Sequence, residues 1–437
     1  MLSNFKGYLF IFRVFSIFLL ERLYYFIYND YPSFINRLTH QLAKINILYV
    51  KIFQAIALNN QFIDEKTNEQ LMNFTDKAPW SHLEDIDLES IAKLAITEKI
   101  YLKDGCYQPI NTGMISLVYK TYLKPEQKQV IIKIKRKNIE TRLNSAIDDL
   151  MFLVNILSFF PSLSQYKIDE LVRKNIDIIR QQVHFEEEVK NMIKIKENCK
   201  NLKYVKIPEV YPEITEKYPN LIMMEYIEGL KINEIAKDDY EGFARQILKF
   251  GFVTTNLHGF THGDLHAGNI LFIKDLNNDT NPYKIGVLDF GIMFDINENF
   301  KNILFELTSE LFDTPTDIIA KKMIDSGIII QPLETIWKLP KEHYQYIIDM
   351  GSKALNETLY NKGKGNHFRM YDFISNLHSY INEKSLFSMG LYLSDDFVKT
   401  QLVLAMSHGV TMKLCKENYM ELANQTIDEL FHVDFFE

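Results

Sequence analysis

The most constraining feature of this chain is a cluster of glycine, histidine and aspartate residues between two short apolar runs. The cluster reads THGDLHAGNILF, and after a polar loop the chain continues with YKIGVLDFGI. Two apolar runs joined by a polar loop predict a β-hairpin, whose two ends lie side by side. We therefore expect Asn269, before the first strand, to lie close to Asp289, after the second.

The spacing of three polar residues around this hairpin indicates phosphoryl transfer. Asp264 precedes Asn269 by five positions, and Asp289 stands twenty positions further on within an Asp-Phe-Gly sequence. Phosphoryl-transfer sites use a catalytic-loop aspartate to accept a proton or orient the nucleophile, and an asparagine and a second aspartate to bind the metal ion. Hard oxygen ligands of this kind suit magnesium rather than zinc. We therefore predict that Asp264 is catalytic and that Asn269 and Asp289 bind Mg2+.

Two histidines in the same cluster invite a different interpretation. His262 and His266 are four residues apart, a spacing that on a helix suits a zinc site. Gly263 and Gly268 make a helix unfavourable here, and no glutamate follows in the HExxH form. We interpret His262, His266 and Gly268 as residues that support the catalytic loop.

A nucleotide site also needs a cation for the phosphates, and Lys133 is our candidate. The runs ISLVYKTYL and VIIKIK, joined by the polar turn KPEQKQ, predict a second hairpin. Lys133 and Lys135 share one face of the second strand, so alternation alone does not choose between them, but the position after a hairpin strand favours Lys133. Its expected partner is Glu188, which lies near Phe185 and Met192 on the apolar face of a predicted helix. The alternative is that the run of glutamates is a solvated surface.

Two further segments complete the predicted nucleotide site. The sequence INTGMISLVY contains a single glycine, Gly113, where the phosphate loop of an ordinary kinase has three. Its backbone amides would approach the phosphates with less freedom than those of a glycine-rich loop. Glu225 and Tyr226 end the predicted strand LIMMEYI, where a hinge would offer backbone hydrogen bonds to adenine. ATP is therefore the predicted nucleotide.

These motifs resemble those of the UbiB-type atypical kinase family, the aarF-domain kinase-like proteins linked to coenzyme Q biosynthesis and lipid homeostasis. The likeness runs from roughly residue 35 to 430. The family's catalytic loop HADxHPGN resembles HGDLHAGN at 262–269, its LLDFG is matched by LDFG at 288–291, and its VAVK strand is similar to 130–133. The resemblance implies an α+β, protein-kinase-like fold of two lobes, with a small β-rich N-lobe, a large helical C-lobe and a helical N-terminal extension. It also implies an ATP- and magnesium-dependent kinase or ATPase that acts on or near lipids or small molecules.

The N-terminal extension of this family carries a Lys-x-Gly-Gln motif on a helix. Here ILYVKIFQAIA supplies Lys51 and Gln54, with phenylalanine where glycine is usual. The two residues are three apart and therefore share one face of a helix. A row of polar residues facing solvent on an otherwise buried helix would explain this pattern equally well. The resemblance implies that this helix reaches over the nucleotide site. The chain departs from the family at 111–114, where an alanine-rich loop is usual, and at Gln182 and His184, where an acidic pair is usual.

These patterns divide the chain into an extension over 1–103, an N-lobe over 104–229 and a helical C-lobe over 230–437. A helical segment follows the Asp-Phe-Gly sequence almost at once, without a long activation loop or an Ala-Pro-Glu anchor, which disfavours a conventional protein kinase. A small-molecule phosphotransferase of the aminoglycoside or choline kinase type is an alternative, because HGDLHxGN occurs there too. A nucleotide-binding scaffold without turnover is the other alternative.

Composition narrows the possible partners and compartment. The formal net charge of −8 disfavours nucleic-acid binding, which relies on a basic surface. Cys106, Cys199 and Cys415 are too far apart in sequence to suggest a metal or disulfide framework, so we expect a reducing compartment.

The N-terminus is the one place where the sequence suggests a membrane. Residues 8–20 are apolar apart from Arg13 and Ser16, but this run is shorter than the roughly 20 residues that a spanning helix needs. We expect an ordinary buried or amphipathic helix, with contact to a membrane surface as the alternative. We also expect residues 1–60 to lie over or beside the nucleotide site and to contact a membrane or a lipid-like molecule. This contact should depend only weakly on salt, because the net charge of the whole chain is negative. The expected location is cytoplasmic or peripheral to a membrane, with no transmembrane span and no clear secretory signal.

Overall fold

A computed structural model describes residues 2–49, 80–86, 108–124, 128–157, 179–275, 281–360, 390–415 and 418–431, with residues 78, 91, 93, 97, 98, 100, 101, 176, 377, 380, 381 and 384. Its helices are α1 Leu2–Tyr28, α2 Tyr31–Ile45, α3 His82–Asp85, α4 Ile139–Leu157, α5 Phe185–Asn198, α6 Pro212–Lys217, α7 Tyr240–Phe252, α8 Glu298–Glu310, α9 Thr316–Asp325, α10 Leu333–Ile336, α11 Lys341–Leu359, α12 Asp395–Leu414 and α13 Tyr419–Leu430. Its strands are β1 Ile100–Tyr101, β2 Asn111–Thr112, β3 Ser116–Leu123, β4 Lys128–Lys135, β5 Val205–Lys206, β6 Leu221–Glu225, β7 Phe260–His262, β8 Ile270–Lys274, β9 Tyr283–Val287, β10 Met293–Asp295, β11 Ile330–Gln331 and β12 Tyr392–Leu393.

The chain forms two compact units. The first consists of Met1–Ile193 and Pro208–Tyr226, and the second of Lys194–Ile207 and Ile227–Glu437. A five-stranded antiparallel sheet in the first unit has the order β1-β3-β4-β6, with β2 also paired to β3. The second unit is mainly helical and holds three small sheets. The α+β class predicted from the sequence is confirmed, whereas the domain boundaries at 103 and 229 stay predictions.

The predicted hairpin of the first unit is formed by β3 and β4. Val118 lies opposite Lys133 in the β3–β4 register, and Ile222 lies opposite Lys133 in the β4–β6 register. Because side chains alternate along a strand, Val130, Ile132 and Ile134 enter one hydrophobic cluster. Lys133 and Lys135, which alternate with them, point away from that cluster and lie near the Phe185 ring at the start of α5.

The first helix differs from the one that the sequence predicted. Helix α1 extends over 27 residues, packs against α2 and α4, and buries Phe10 and Glu21, the latter paired with Arg37 at 2.7 Å. The prediction of a buried or amphipathic helix is wrong in one respect, because the side turned to solvent is itself apolar. We call this side the apolar face of α1; its exposed residues are Tyr8, Leu9, Phe12, Phe15, Phe18, Leu19, Leu20, Leu23, Phe26, Ile27 and Tyr28.

The physical reason is the even distribution of apolar side chains around α1. Only Lys6, Arg13, Glu21 and Arg22 are charged in this helix, so whichever side faces the unit leaves another apolar side uncovered. Among the described residues, no helix is both long and apolar enough to cross a bilayer.

Candidate functional site

The predicted catalytic loop, residues 262–269 of the second unit, is framed by two short antiparallel strand pairs. Strand β7 enters the loop and pairs with β10, while β8 leaves the loop and pairs with β9. The β8–β9 register sets Ile270 opposite Val287, and the Leu288 amide donates to the Asn269 carbonyl at 2.8 Å. The hairpin therefore brings Asn269 to the residue that precedes Asp289, as the sequence pattern predicted.

His262 links the two halves of this frame from a buried position. Its Nδ1 accepts a hydrogen bond from the Asp264 amide at 3.0 Å, and its Nε2 lies 2.6 Å from the Asp289 carbonyl. Because Nδ1 is an acceptor, the ring proton of the neutral imidazole lies on Nε2, which donates to Asp289. Burial lowers the pKa of His262, while the charges of Asp264 and Asp289 oppose that shift. The neutral ring therefore holds the catalytic loop against the Asp-Phe-Gly segment.

The oxygens of Asn269 and Asp289 form a donor set that suits magnesium. Asn269 Nδ2 donates to the Asp264 carbonyl at 2.9 Å, so the amide oxygen is the atom that this side chain can offer to a cation. Asp289 has a φ of 59°, a strained value for a residue with a side chain, and its Oδ1 accepts from the Gly291 amide at 3.2 Å. Magnesium commonly takes one or two protein oxygens and completes its shell with water and phosphate, which these residues fit.

The other predicted members of the loop have local structural contacts. His266 Nδ1 accepts from the Gly268 amide at 3.0 Å and thereby caps the short 3-10 turn Ala267–Asn269. Gly263 allows a close approach, because a Cβ atom there would lie 2.7 Å from side-chain atoms of both Ile292 and Phe294.

A buried group of threonines before β7 was missed by the sequence analysis. Helix α7 continues into a π-helical turn, Val253–Leu257, where Thr254 and Thr255 lie 3.2 and 3.0 Å from the Thr261 hydroxyl. These hydrogen bonds join the turn to β7, one residue before His262. Adjacent threonines within an apolar helical run are the only signal of this arrangement in the sequence.

In the first unit, the structure resolves the choice between the two lysines of β4. Lys133 Nζ lies 2.7 Å from Glu188 Oε1, and the side chains are only 8% and 2% exposed. Lys135 instead pairs at 3.2 Å with Glu140, whose side chain is 61% exposed. Lys133 and Glu188 therefore form the buried pair of strand lysine and helix glutamate that the sequence predicted.

The backbone amides of Gly113, Glu225 and Tyr226 donate hydrogen bonds within the first unit. The Gly113 amide donates to the Ser116 carbonyl at 2.9 Å. The Glu225 amide donates to Glu209 at 2.7 Å, and the Tyr226 amide donates to the Gln129 carbonyl at 3.4 Å. The role of Glu225 and Tyr226 as an adenine-binding hinge stays a prediction. Lys51 and Gln54 lie outside the described residues.

Much of the chain is similar in sequence to known proteins. Residues 75–323 match a family model described as the ABC1 atypical kinase-like domain. The chain is 27% identical over 334 residues to "Probable protein kinase UbiB" of Shewanella sp. (strain W3-18-1), covering 75% of this chain and 58% of that protein. It is 25% identical over 309 residues to "Protein ACTIVITY OF BC1 COMPLEX KINASE 8, chloroplastic" of Arabidopsis thaliana, covering 67% of this chain and 38% of that protein. The chain thus spans less than two thirds of the length of either relative.

Among solved structures, the chain matches the Rio2 kinase–ADP/Mg2+–phosphoaspartate complex from Chaetomium thermophilum. The match covers 87% of this chain and 96% of that one, at 14% identity and a TM-score of 0.25. At this TM-score the likeness carries no argument about the chain.

Proposed function

The chain belongs to the ABC1 atypical kinase-like family, the UbiB type that its motifs resemble, and on that premise we propose that it is an ATP- and magnesium-dependent atypical kinase or ATPase. The observation that carries the proposal is the frame around buried His262, which accepts from the Asp264 amide and donates to the Asp289 carbonyl. This frame holds a potential base and a potential metal ligand in fixed positions. Fixed positions are what phosphoryl transfer requires, because its catalysis rests on positioning and electrostatics.

Each residue has one role in the proposed reaction. Lys133 would contact the nucleotide phosphates, and Glu188 holds its ammonium group in place. Asn269 and Asp289 would bind magnesium, which neutralises charge on the phosphates when it is present. Asp264 would accept the proton of the attacking hydroxyl or water, or orient that nucleophile.

The acceptor that we propose is a lipid or small molecule rather than a protein. After the Asp-Phe-Gly sequence, β10 begins at Met293 and α8 at Glu298, which leaves little chain for a loop that would bind a peptide. The apolar face of α1 supports work at a membrane surface, since large exposed apolar patches mark interaction sites.

The charges of α1 refine this proposal. Lys6, Arg13 and Arg22 are exposed basic residues, whereas Glu21 is buried and paired with Arg37. Helix α1 itself therefore has a net positive charge, although the chain as a whole has a net charge of −8. Basic groups beside an apolar helix favour anionic lipid surfaces. We therefore propose a salt-dependent contact, in place of the weakly salt-dependent one expected from the net charge of the whole chain.

The direct test is turnover of ATP by the full chain and by Asp264→Asn. The substitution keeps the size of the side chain but removes the basic oxygen. We expect ADP release to fall by about 100- to 10,000-fold, the usual contribution of a general base, while MgATP binding stays near the parental level. Parental turnover in Asp264→Asn would contradict the role given to this residue.

The same assay separates the rival functions. A wild-type chain that binds MgATP without releasing ADP or phosphorylating an acceptor would be a nucleotide-binding scaffold. Transfer to an aminoglycoside or choline, with no stimulation by vesicles, would favour the small-molecule phosphotransferase. ADP release that rises with anionic vesicles supports the proposed function.

A further inference from the structure

We propose that Arg136 is a positioning residue that holds the Gly113 turn, defined as residues 113–116, in a fixed place on the hairpin that carries Lys133. The turn would then be a rigid wall of the nucleotide site rather than a mobile flap. This inference rests on the proposed function for its consequence, but its structural part concerns the first unit alone.

The guanidinium group of Arg136 holds the Gly113 turn directly. Arg136 follows β4, three residues after Lys133, and its side chain is only 1% exposed. Its Nε and Nη2 atoms donate to the Gly113 carbonyl at 3.0 and 2.7 Å. The Arg136 backbone amide also donates to the Ile115 carbonyl at 2.9 Å. One residue therefore fixes the turn at two points, with a planar group whose donors have a set geometry.

The other side of the guanidinium is anchored to the segment before the sheet. Arg136 Nη1 lies 3.0 Å from Asp85 Oδ2, at the end of α3. Asp85 also accepts from the Ser81 amide at 2.7 Å and pairs with Arg142 at 2.5 Å. Burial alone would raise the pKa of Asp85, but the hydrogen bond from Arg142 and the charge of Arg136 outweigh it and lower that pKa. The carboxylate therefore stays charged and compensates the buried guanidinium.

The Gly113 turn itself lacks the features of a mobile phosphate loop. Its glycine amide is occupied by the Ser116 carbonyl, and the side chains of the next two residues are buried in a hydrophobic cluster. Thr112, just before the turn, exchanges two hydrogen bonds with Ala78, each of 2.9 Å. A loop that closes on phosphate needs free amides and little side-chain burial, so this turn is built to stay where it is.

The turn and Lys133 belong to the same hairpin. Strand β3 begins at Ser116, directly at the end of the turn, and its third residue, Val118, pairs with Lys133. Burial of a guanidinium is costly even when it is paired. A fixed turn would compensate for this cost when nucleotide binds. Binding would not have to order the turn, so less conformational entropy would be lost.

The first experiment measures backbone hydrogen exchange in the full chain without nucleotide. Arg136→Lys keeps the positive charge but replaces the planar guanidinium, whose donors have fixed directions, with a single ammonium group. Arg142→Lys is the matched control, because Arg142 pairs with the same Asp85 and no hydrogen bond joins it to Gly113 among those described. We expect faster exchange in peptides covering 111–118 for Arg136→Lys alone. Parental exchange in that variant, or equal acceleration in both variants, would overturn the proposal.

The second experiment measures MgATP kinetics in the same two variants. A loosened turn should raise the KM for MgATP roughly fivefold, the scale of a newly mobile segment at a binding site, and leave kcat within about twofold. A fall in kcat at constant KM, or no change in either, would overturn the positioning role. Thermal melts show whether each variant is folded at the assay temperature.

A second variant keeps the inference testable if Arg136→Lys unfolds. Asp85→Asn retains the side-chain shape but removes the charge that anchors the guanidinium, so exchange at 111–118 should rise by a smaller factor. Unchanged exchange there would also count against the proposal. A wild-type chain that binds no ATP would overturn the proposed function, while the exchange result would still decide whether Arg136 holds the turn.

Discussion

At the scale of single residues, the buried pair of Lys133 and Glu188 is a sensitive point of the first unit. Both side chains are almost completely removed from solvent, and their charged atoms lie 2.7 Å apart. Removing one partner of a buried ion pair leaves the other charge without compensation, which usually costs about 3–5 kcal/mol.

The neighbouring lysine provides a control for this prediction. We expect Lys133→Met to lower the free energy of unfolding by about 3–5 kcal/mol, and Lys135→Met by less than about 1 kcal/mol, because its partner Glu140 is largely exposed. Urea unfolding of both variants measures the difference. The double variant Lys133→Met/Glu188→Leu should recover part of the loss, and equal costs for the two single variants would contradict the assignment.

The lowered pKa of His262 predicts that the stability of the folded chain depends on pH. Its pKa in the folded chain is lowered from 6.5 by burial, so the unfolded chain takes up this proton first as the pH falls. The stabilisation from neutral His262 is therefore complete above about pH 6.5 and is lost as the pH falls from there toward the lowered pKa. His262→Phe keeps a buried ring but cannot titrate, and we expect its stability to change less between pH 7 and pH 5.

Urea unfolding at several pH values measures this effect. His40→Gln, at an exposed position on α2, is the control and should keep the parental dependence. If the free energy of unfolding of His262→Phe changes with pH as steeply as that of the wild type, His262 is not the group responsible for the pH dependence.

At the scale of elements, α1 is unusual because a helix of about 40 Å, at 1.5 Å per residue, leaves its apolar face uncovered in the described structure. Side chains such as Phe26, which is 85% exposed, have little contact with the protein to lose when they enter a membrane surface. Each would gain about 1.5–3 kcal/mol on full burial, so a few of them suffice for measurable binding.

Vesicle flotation tests this face. The triple variant Phe15→Ser/Leu19→Ser/Phe26→Ser should bind anionic vesicles at least tenfold more weakly than the wild type, given the gain per side chain. Trp337→Ser removes an equally exposed apolar side chain from the second unit and should bind as the wild type does. Arg13→Gln/Arg22→Gln should weaken binding to anionic vesicles only, by about 1 kcal/mol per charge. Equal flotation of all variants would rule out the membrane role of α1.

At the scale of the whole molecule, ligand binding should appear as a change in overall stability. A ligand that binds only the folded chain stabilises it by about 2.7 kcal/mol at a concentration 100 times its Kd. We expect millimolar MgATP to raise the Tm of the wild type, and ATP without magnesium to raise it less.

The Asp289→Asn variant is the control for this measurement. It removes a charged oxygen from the proposed metal site but retains the backbone carbonyl that accepts from His262. The magnesium-dependent part of the shift should disappear in this variant. A shift in Asp289→Asn as large as in the wild type would contradict the metal assignment, and no shift in the wild type would contradict nucleotide binding.

Much of the fold and part of the site follow from local sequence signals. Alternating apolar residues with polar turns predicted both the β3–β4 and β8–β9 hairpins. The second hairpin then fixes the approach of Asn269 to the Asp289 segment, because antiparallel strands with a short connection have closely spaced ends. These relations span at most a few tens of residues, so a periodic pattern and a turn are enough to specify them.

Only the tertiary structure decided which of several chemically similar residues has a buried charged partner. Lys133 and Lys135 are equivalent in the pattern of β4, but α5, 55 residues away along the chain, brings Glu188 to one of them. In the same way, Arg136 meets the Gly113 carbonyl and Asp85 through packing of distant segments. The uncovered apolar face of α1 is also invisible in sequence, because an evenly apolar helix does not indicate which side its neighbours will cover. The local pattern of a chain sets its strands and turns, whereas burial and pairing depend on what distant segments bring to them.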